Sequence, residues 1–293
     1  MASTFLNMNR VVQQFDYTDV GELEAALSLL IVVPDTSIAT TKEHLRLIKA
    51  YAGNYSLPSW TLSNAEILAT GFRDMIVILT EPTDKADTLP FEPMMEGSRT
   101  IRSLDRALQW ASKGQRSVQN TIILDGRLLR SRAFQQRESR SLRRHRDSQG
   151  FGVIDDICKL VEPSVVLVCN CCRFETLNSR TTDLLVSRIP EAGNIEMLTW
   201  PSGAQGSIVK SFHPEFIYKC EQPDQRALRE SLWKLTIATA TNIILKSNLR
   251  GSGISKLRST VLRGMDTFAE SRRNGQNTQG TSKAGTLRGR IGR

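Results

Sequence analysis

Apolar positions along this chain fall into two rhythms, helical stripes and short branched runs, and their alternation sets the expected elements. Between Asp19 and Val33, GELEAALSLLIVV reads as a helix, or as a helix entering a buried strand, stopped by Pro34 and Asp35. TTKEHLRLIKAYAG offers a capping box from Thr40 to Glu43, an apolar face of Leu45, Ile48 and Ala52, and a stop at Gly53-Asn54. SNAEILATG repeats the device with Ser63 and Glu66. FRDMIVILT, residues 72–80, is rich in branched side chains and predicts a strand, followed by an acidic, proline-bearing loop at 81–93. Ile101, Leu104, Leu108 and Ala111 then form a helical stripe that ends at Gly114. In TIILDGRLLR, residues 121–130, Asp125-Gly126 stands between two apolar runs, which predicts a hairpin.

Farther along, GFGVIDDICKLVEP predicts a helix, SVVLVCNCC at 164–172 a buried strand, and NSRTTDLLVSRIP at 178–190 another helix. NIEMLTWP, GSIVKSF and EFIYKC read as strands separated by turns such as PSGAQG. The longest helical pattern, 223–248, opens on Pro223 and Asp224. Beyond a GSG hinge at 251–253, Ile254, Leu257, Val261, Leu262, Met265 and Phe268 keep helical spacing, so this helix packs on its own body or on a neighbouring subunit. No internal repeat is present, and helices and strands interleave without a steady βαβ rhythm. The expected class is therefore α+β, with a helix-rich N-terminal half and mixed strands and helices in the C-terminal half. The expected regions are 1–126, an arginine-rich segment at 127–149, a C-terminal region at 150–270, and a disordered basic tail at 271–293 with too few apolar residues to pack.

At 293 residues and 40% hydrophobic composition, the chain has enough apolar content to bury a sizeable core. The opening MASTFLNMNR has no basic region followed by a long apolar run, and the longest apolar stretch, residues 25–33, is far short of a bilayer span of roughly 20 residues. Neither secretion nor a transmembrane helix is expected, and five cysteines do not suggest a disulfide framework. A cytoplasmic or nuclear location follows.

Charge changes the picture most. The formal net charge is +9, but residues 127–146 hold eight basic residues against one acid, and residues 271–293 hold six against none. Those two stretches supply more than the whole excess, which marks a compact body with cationic attachments. Arginine outnumbers lysine 28 to 11, and a guanidinium grips a phosphate with two parallel hydrogen bonds where an ammonium is a point charge. The candidate phosphate ligands are Arg127, Arg130, Arg132, Arg137, Arg140, Arg143, Arg144 and Arg146, with Arg272, Arg273, Arg288 and Arg290 on a glycine-spaced tail. If residues 127–146 form a helix, Phe134 and Leu142 lie about 80° apart and make a narrow apolar stripe. A solvated surface helix would alternate its charges, and this segment does not.

Only Phe134 lies among these arginines, whereas a reader of single-stranded bases needs several interleaved aromatics, so the segment is expected to grip backbone. With most of eight arginines on phosphates, the log–log salt slope would approach roughly −5 for a single strand. Phosphorylation of Ser131 or Ser141, each beside arginine, would weaken that grip, and LRRHR at 142–146 also reads as an importin-binding patch.

Other chemistry is weaker in the sequence. Cys169 and Cys172 form a C-x-x-C pair that Cys158, Cys220 and His213 would complete as a zinc site, but the remaining candidates are scattered singly, and buried strand cysteines fit the pattern better. No P-loop, GxSxG, HExxH or dinucleotide fingerprint occurs. Asp155-Asp156 with Glu162 and Asp125 are candidate Mg²⁺ ligands, yet adjacent helical aspartates point about 100° apart. No cofactor, metal or enzymatic activity is expected.

The arginine bias, basic tail and lack of catalytic motifs resemble those of RNA-virus nucleocapsid or matrix proteins as a class. That resemblance implies a self-associating, non-enzymatic structural protein bound to nucleic acid, more specifically RNA, present in the virion and the host cell. The alternative is an interaction or trafficking protein of the viral movement or host-antagonist type, docking through its basic segments on importins, acidic partners or an anionic membrane.

Overall fold

A computed structural model describes residues 40–169, 195–218 and 223–244. Along the chain run strand β1 (Thr40–Thr41), helices α1 (Leu45–Ala52) and α2 (Thr61–Leu68), strand β2 (Gly71–Leu79), a 3-10 turn (Asp84–Asp87), α3 (Phe91–Gly97), α4 (Arg99–Ala111) and β3 (Thr121–Asp125). They are followed by α5 (Arg132–Gln135), α6 (Arg140–Val161), β4 (Val165–Cys169), β5 (Ile195–Thr199), β6 (Gln205–Ser211), α7 (Glu215–Tyr218) and α8 (Pro223–Ile244). Helices and a mixed sheet coexist, in keeping with the expected class.

The sheet has β2 between β3 and β4, with β6 beyond β4, and all four strands are parallel. β5 pairs antiparallel with the outer side of β6, and β1 pairs antiparallel with the first two residues of β2. Gly71 sits where backbones crowd, since a Cβ there would lie 2.6 Å from the Thr121 carbonyl carbon. Parallel strands are covered on both faces, so their sequences are apolar runs without alternation. MIVIL at 75–79 obeys this, with every side chain at most 3% exposed.

Alternate residues of those runs feed two cores. Met75, Val77 and Leu79 face one core with Phe91 and Met94 of α3, the expected Ile101, Leu104, Leu108 and Ala111 stripe of α4, and Trp233 and Ile237 of α8. Ile76 and Ile78 face the other with Ile48 and Tyr51 of α1, Ile154, Ile157 and Val161 of α6, and Trp200. Each fully buried Leu or Ile contributes about 1.5–3 kcal/mol, so truncating Leu104 to alanine would cost roughly 2–5 kcal/mol once the cavity is included.

Several expectations give way here. Asp125-Gly126 is no hairpin: the Gly126 N–H donates to the Leu79 carbonyl (2.7 Å) and the Arg127 N–H to that of Thr80 (2.9 Å), so the chain keeps running beside β2. Leu128 and Leu129 fill the second core as a loop, Leu129 with a left-handed φ of 60°. Thr40 is a strand residue, Ser63 lies inside α2, and EFIY in the expected third strand forms α7. The arginine segment is not one helix: residues 127–131 are a loop, α5 is a single turn, and Arg140 onward is continuous with the helix expected from Gly150. One sheet takes strands from both sides of that segment, so the regions 1–126 and 150–270 share a core. The elements expected at 19–33, at 178–190 and beyond the GSG hinge lie outside the described residues, as does the basic tail.

Candidate nucleic-acid interface

Because β2, β3, β4 and β6 are parallel, their carboxyl ends share one edge of the sheet, and open α/β sheets receive ligands at that edge where strand order reverses. A cleft of about 550 Å³ lies there, lined among others by Glu81 and Leu79 from the end of β2, Asp125 and Arg132 after β3, and His213 and Tyr218 after β6. The loop after β3 is pinned beside it. Ser131 donates to Asp87 (2.5 Å), Thr61 donates to the same carboxylate (2.8 Å), and the Ala133 N–H donates to Asp84 (2.8 Å).

Asp125 is the unusual group in the cleft. Its Oδ1 is sealed from solvent without a hydrogen-bond partner, and burial, assisted by the nearby charge of Glu81, pushes its carboxyl up to about 7. Glu81 accepts from Arg127 (2.7 Å) and from Gln135 Nε2 (3.0 Å), so it is held in place. His213 Nδ1 accepts the backbone N–H of Glu215 (3.3 Å).

The eight arginines of the expected cluster divide into two groups. Arg130 is wholly buried and bonds Glu138 (2.6 Å) and Asp147 (2.8 Å). Burial works against its charge, yet the two carboxylates more than offset this and hold the guanidinium above its ordinary range. Arg146 bonds Glu138 (2.5 Å) and lies 4.5 Å over the Tyr55 ring, and Arg127 bonds Glu81 (2.7 Å) and reaches Asp147 (3.6 Å). These three are committed to the fold, and Arg130 is out of reach of any phosphate. Arg132, Arg137, Arg140, Arg143 and Arg144 are exposed and have no carboxylate partner among the described residues. Ser139 caps α6 by accepting from the Leu142 N–H (3.2 Å), and no acid occupies the first turn, so Arg140, Arg143 and Arg144 crowd the positive end of the helix dipole. As a crossover helix between the parallel strands β3 and β4, α6 starts at the same carboxyl edge as the cleft. Of the two serines singled out, Ser141 is exposed and Ser131 is fully buried.

Four further arginines were passed over in the sequence. Arg99, Arg102 and Arg106 lie on the exposed face of α4, opposite its apolar stripe, and with Tyr218 and Arg226 they line a groove of about 660 Å³. The readable signal was R-x-x-R-x-x-x-R, one helical face, hidden because Asp105 and the acidic loop before it lower the local net charge.

The remaining candidates separate. Cys158 and Cys169 face opposite cores, and burial pushes both thiols up. Cys172 and Cys220 lie outside the described residues, as do Arg272, Arg273, Arg288 and Arg290. Asp155 pairs with Lys159 (2.6 Å) and Glu162 bonds Ser202, so neither joins Asp125. His44 is buried with Nε2–H on the Ala69 carbonyl (2.7 Å). Among the described residues no three His, Cys, Asp or Glu side chains gather as metal ligands, and no helix is long and apolar enough to cross a membrane. No protein-family model and no curated protein matches this chain.

Proposed function

We propose that this protein binds nucleic acid through the phosphate backbone at the carboxyl edge of its sheet. The observation that carries the reading is the start of α6, where Arg140, Arg143 and Arg144 stand exposed at the positive end of a helix without a carboxylate partner among the described residues. Each such cation costs the fold about 0.3–1 kcal/mol, a cost that a bound anion reverses. Arg132 and Arg137 extend the set, and Arg132 also lines the cleft. With five exposed arginines in place of eight, the expected salt slope on single strands becomes roughly −3.5. The preference for RNA, self-association and a packaging role of the nucleocapsid or matrix kind belong to the same proposal, with Arg272, Arg273, Arg288 and Arg290 supplying a second contact. Purified protein tests it directly: co-purifying nucleic acid, salt-steep binding to unrelated oligonucleotides and a mass above the monomer are expected. Absence of binding at low salt, with altered cellular location in an Arg140, Arg143 and Arg144 variant, would favour docking on importin instead.

A specific observation favours a second reading, hydrolysis within the bound strand. Asp125, whose carboxyl is pushed up to about 7 by burial, shares the cleft with Glu81 and His213, and two carboxyl groups in unlike environments suit acid and base roles toward a water. Product release from an oligonucleotide, abolished by Asp125→Asn while binding persists, is the expected result; an unchanged oligonucleotide after long incubation sinks this reading alone.

A further inference from the structure

We propose that the groove between α4 and α8 is a second phosphate track, which carries a nucleic-acid strand onward from the cleft. The proposal rests on the nucleic-acid reading and assigns a surface separate from the arginine segment. Arg99, Arg102 and Arg106 are spaced three and four residues apart, so they share one face of α4 and span about 10 Å of its axis. At about 3.4 Å of axial rise per nucleotide in a stacked, helical strand, that length matches roughly three successive phosphates.

Tyr218 holds two of the four cations ready. The guanidinium of Arg226 lies 4.8 Å over its ring, and Arg106 donates to its hydroxyl at 3.0 Å, while Ser103 anchors that hydroxyl from α4. Among the described residues Asp105 is the one acid lining the groove, and it is committed elsewhere: Oδ1 accepts the Val118 N–H (2.9 Å) and Oδ2 accepts from Gln109 (2.6 Å). No groove arginine has a carboxylate partner among the described residues. Four like charges around one hollow call for an anion that repeats its charge along the groove, and planar guanidinium forks match phosphate oxygens. Arg99 and Tyr218 line both the groove and the cleft, so a strand leaving one enters the other.

The test uses the full chain and the double variant Arg102→Gln with Arg226→Gln. Salt titrations are run with single-stranded oligonucleotides of about four and about fifteen nucleotides, the span of known single-strand site sizes. For the long strand the variant is expected to bind more weakly, with a log–log slope flatter by about 1.4, at roughly 0.7 per lost contact. The short strand, seated at α6, is expected to bind both proteins alike. An unchanged slope on the long strand, an equal loss at both lengths, or a loss confined to inorganic polyphosphate would each overturn the track. If wild-type protein binds no oligonucleotide, the parent reading fails instead. Circular dichroism checks the fold, and the paired Arg102→Lys and Arg226→Lys variant, which keeps charge and removes the fork, should retain the wild-type slope with reduced affinity.

Discussion

Arg130 and Arg143 sit in one charge run and do opposite work. Arg130 is completely enclosed between Glu138 and Asp147, whereas Arg143 is exposed with no carboxylate partner among the described residues. What separates them is the supply of acids. Glu138 serves Arg130 and Arg146, Asp147 serves Arg130 and Arg127, and both are consumed by the end of the segment that packs under α6. A net charge summed over a segment treats its arginines as equals, while the fold uses some for cohesion and leaves the remainder exposed to solvent.

The largest effect that would break this comparison is on stability. Arg130→Ala leaves the buried Glu138 with Arg146 alone and the half-buried Asp147 with only Arg127 at 3.6 Å, and removing one partner of a buried pair costs about 3–5 kcal/mol. Arg143→Ala, on a solvated face, is expected to stay within about 0.5 kcal/mol. Equilibrium urea unfolding of the two variants checks this, and similar midpoints would erase the distinction.

The converse of Arg130 is a part-buried carboxylate that, among the described residues, no arginine meets. Arg127 turns to Glu81, and Asp125 keeps a raised pKa of about 7 against an ordinary value near 3.8. Between those values the folded state binds the Asp125 proton more tightly than the unfolded chain does. Its contribution therefore favours folding below pH 4 and is lost as pH rises toward 7. At about 1.4 kcal/mol per pH unit the loss is at most about 4–5 kcal/mol. Asp125→Asn should flatten the stability profile over this window relative to wild type, measured by unfolding at several pH values. A parallel offset of the two profiles would mean that Asp125 is ionised throughout.

Binding responds on the other side of the comparison. Changing Arg137, Arg140, Arg143 and Arg144 together to alanine should raise the unfolding midpoint modestly, because three cations leave the positive end of α6, while the salt slope flattens by about 3 on every sequence tested. Loss confined to one sequence would contradict backbone recognition.

The reach of the sequence follows the same division. Elements with a strong internal period were legible: MIVIL as a buried strand, the Ile101 to Ala111 stripe, and the long helix opening at Pro223. What depended on distant neighbours was not. The Asp125-Gly126 turn signal presumes the next segment as partner, but β3 already had β2, and the following leucines were needed in the second core. The arginine segment was legible as exposed cationic surface in Arg132, Arg137, Arg140, Arg143 and Arg144; Arg130 was misassigned because its pairing with Glu138 and Asp147, eight and seventeen residues on, depends on how the loop and α6 pack. The α4 groove and the Asp125 cleft are assembled from α4, α7 and α8 or from three strand ends, and the R-x-x-R-x-x-x-R spacing on α4 announces only one wall of the groove.

The smallest effect is the most discriminating, because it moves stability and binding in opposite directions. Ser139 accepts the Leu142 N–H at the start of α6, a position where aspartate caps equally well. A negative charge there also relieves the crowding of Arg140, Arg143 and Arg144 at the positive helix end, so Ser139→Asp should raise stability by about 0.3–1 kcal/mol. The same charge partly neutralises the arginines that would meet a phosphate, so affinity should fall. Thermal unfolding and a salt titration on one preparation read both signs. If stability and affinity rise or fall together, the exposed arginines of α6 are not held in reserve for an anion.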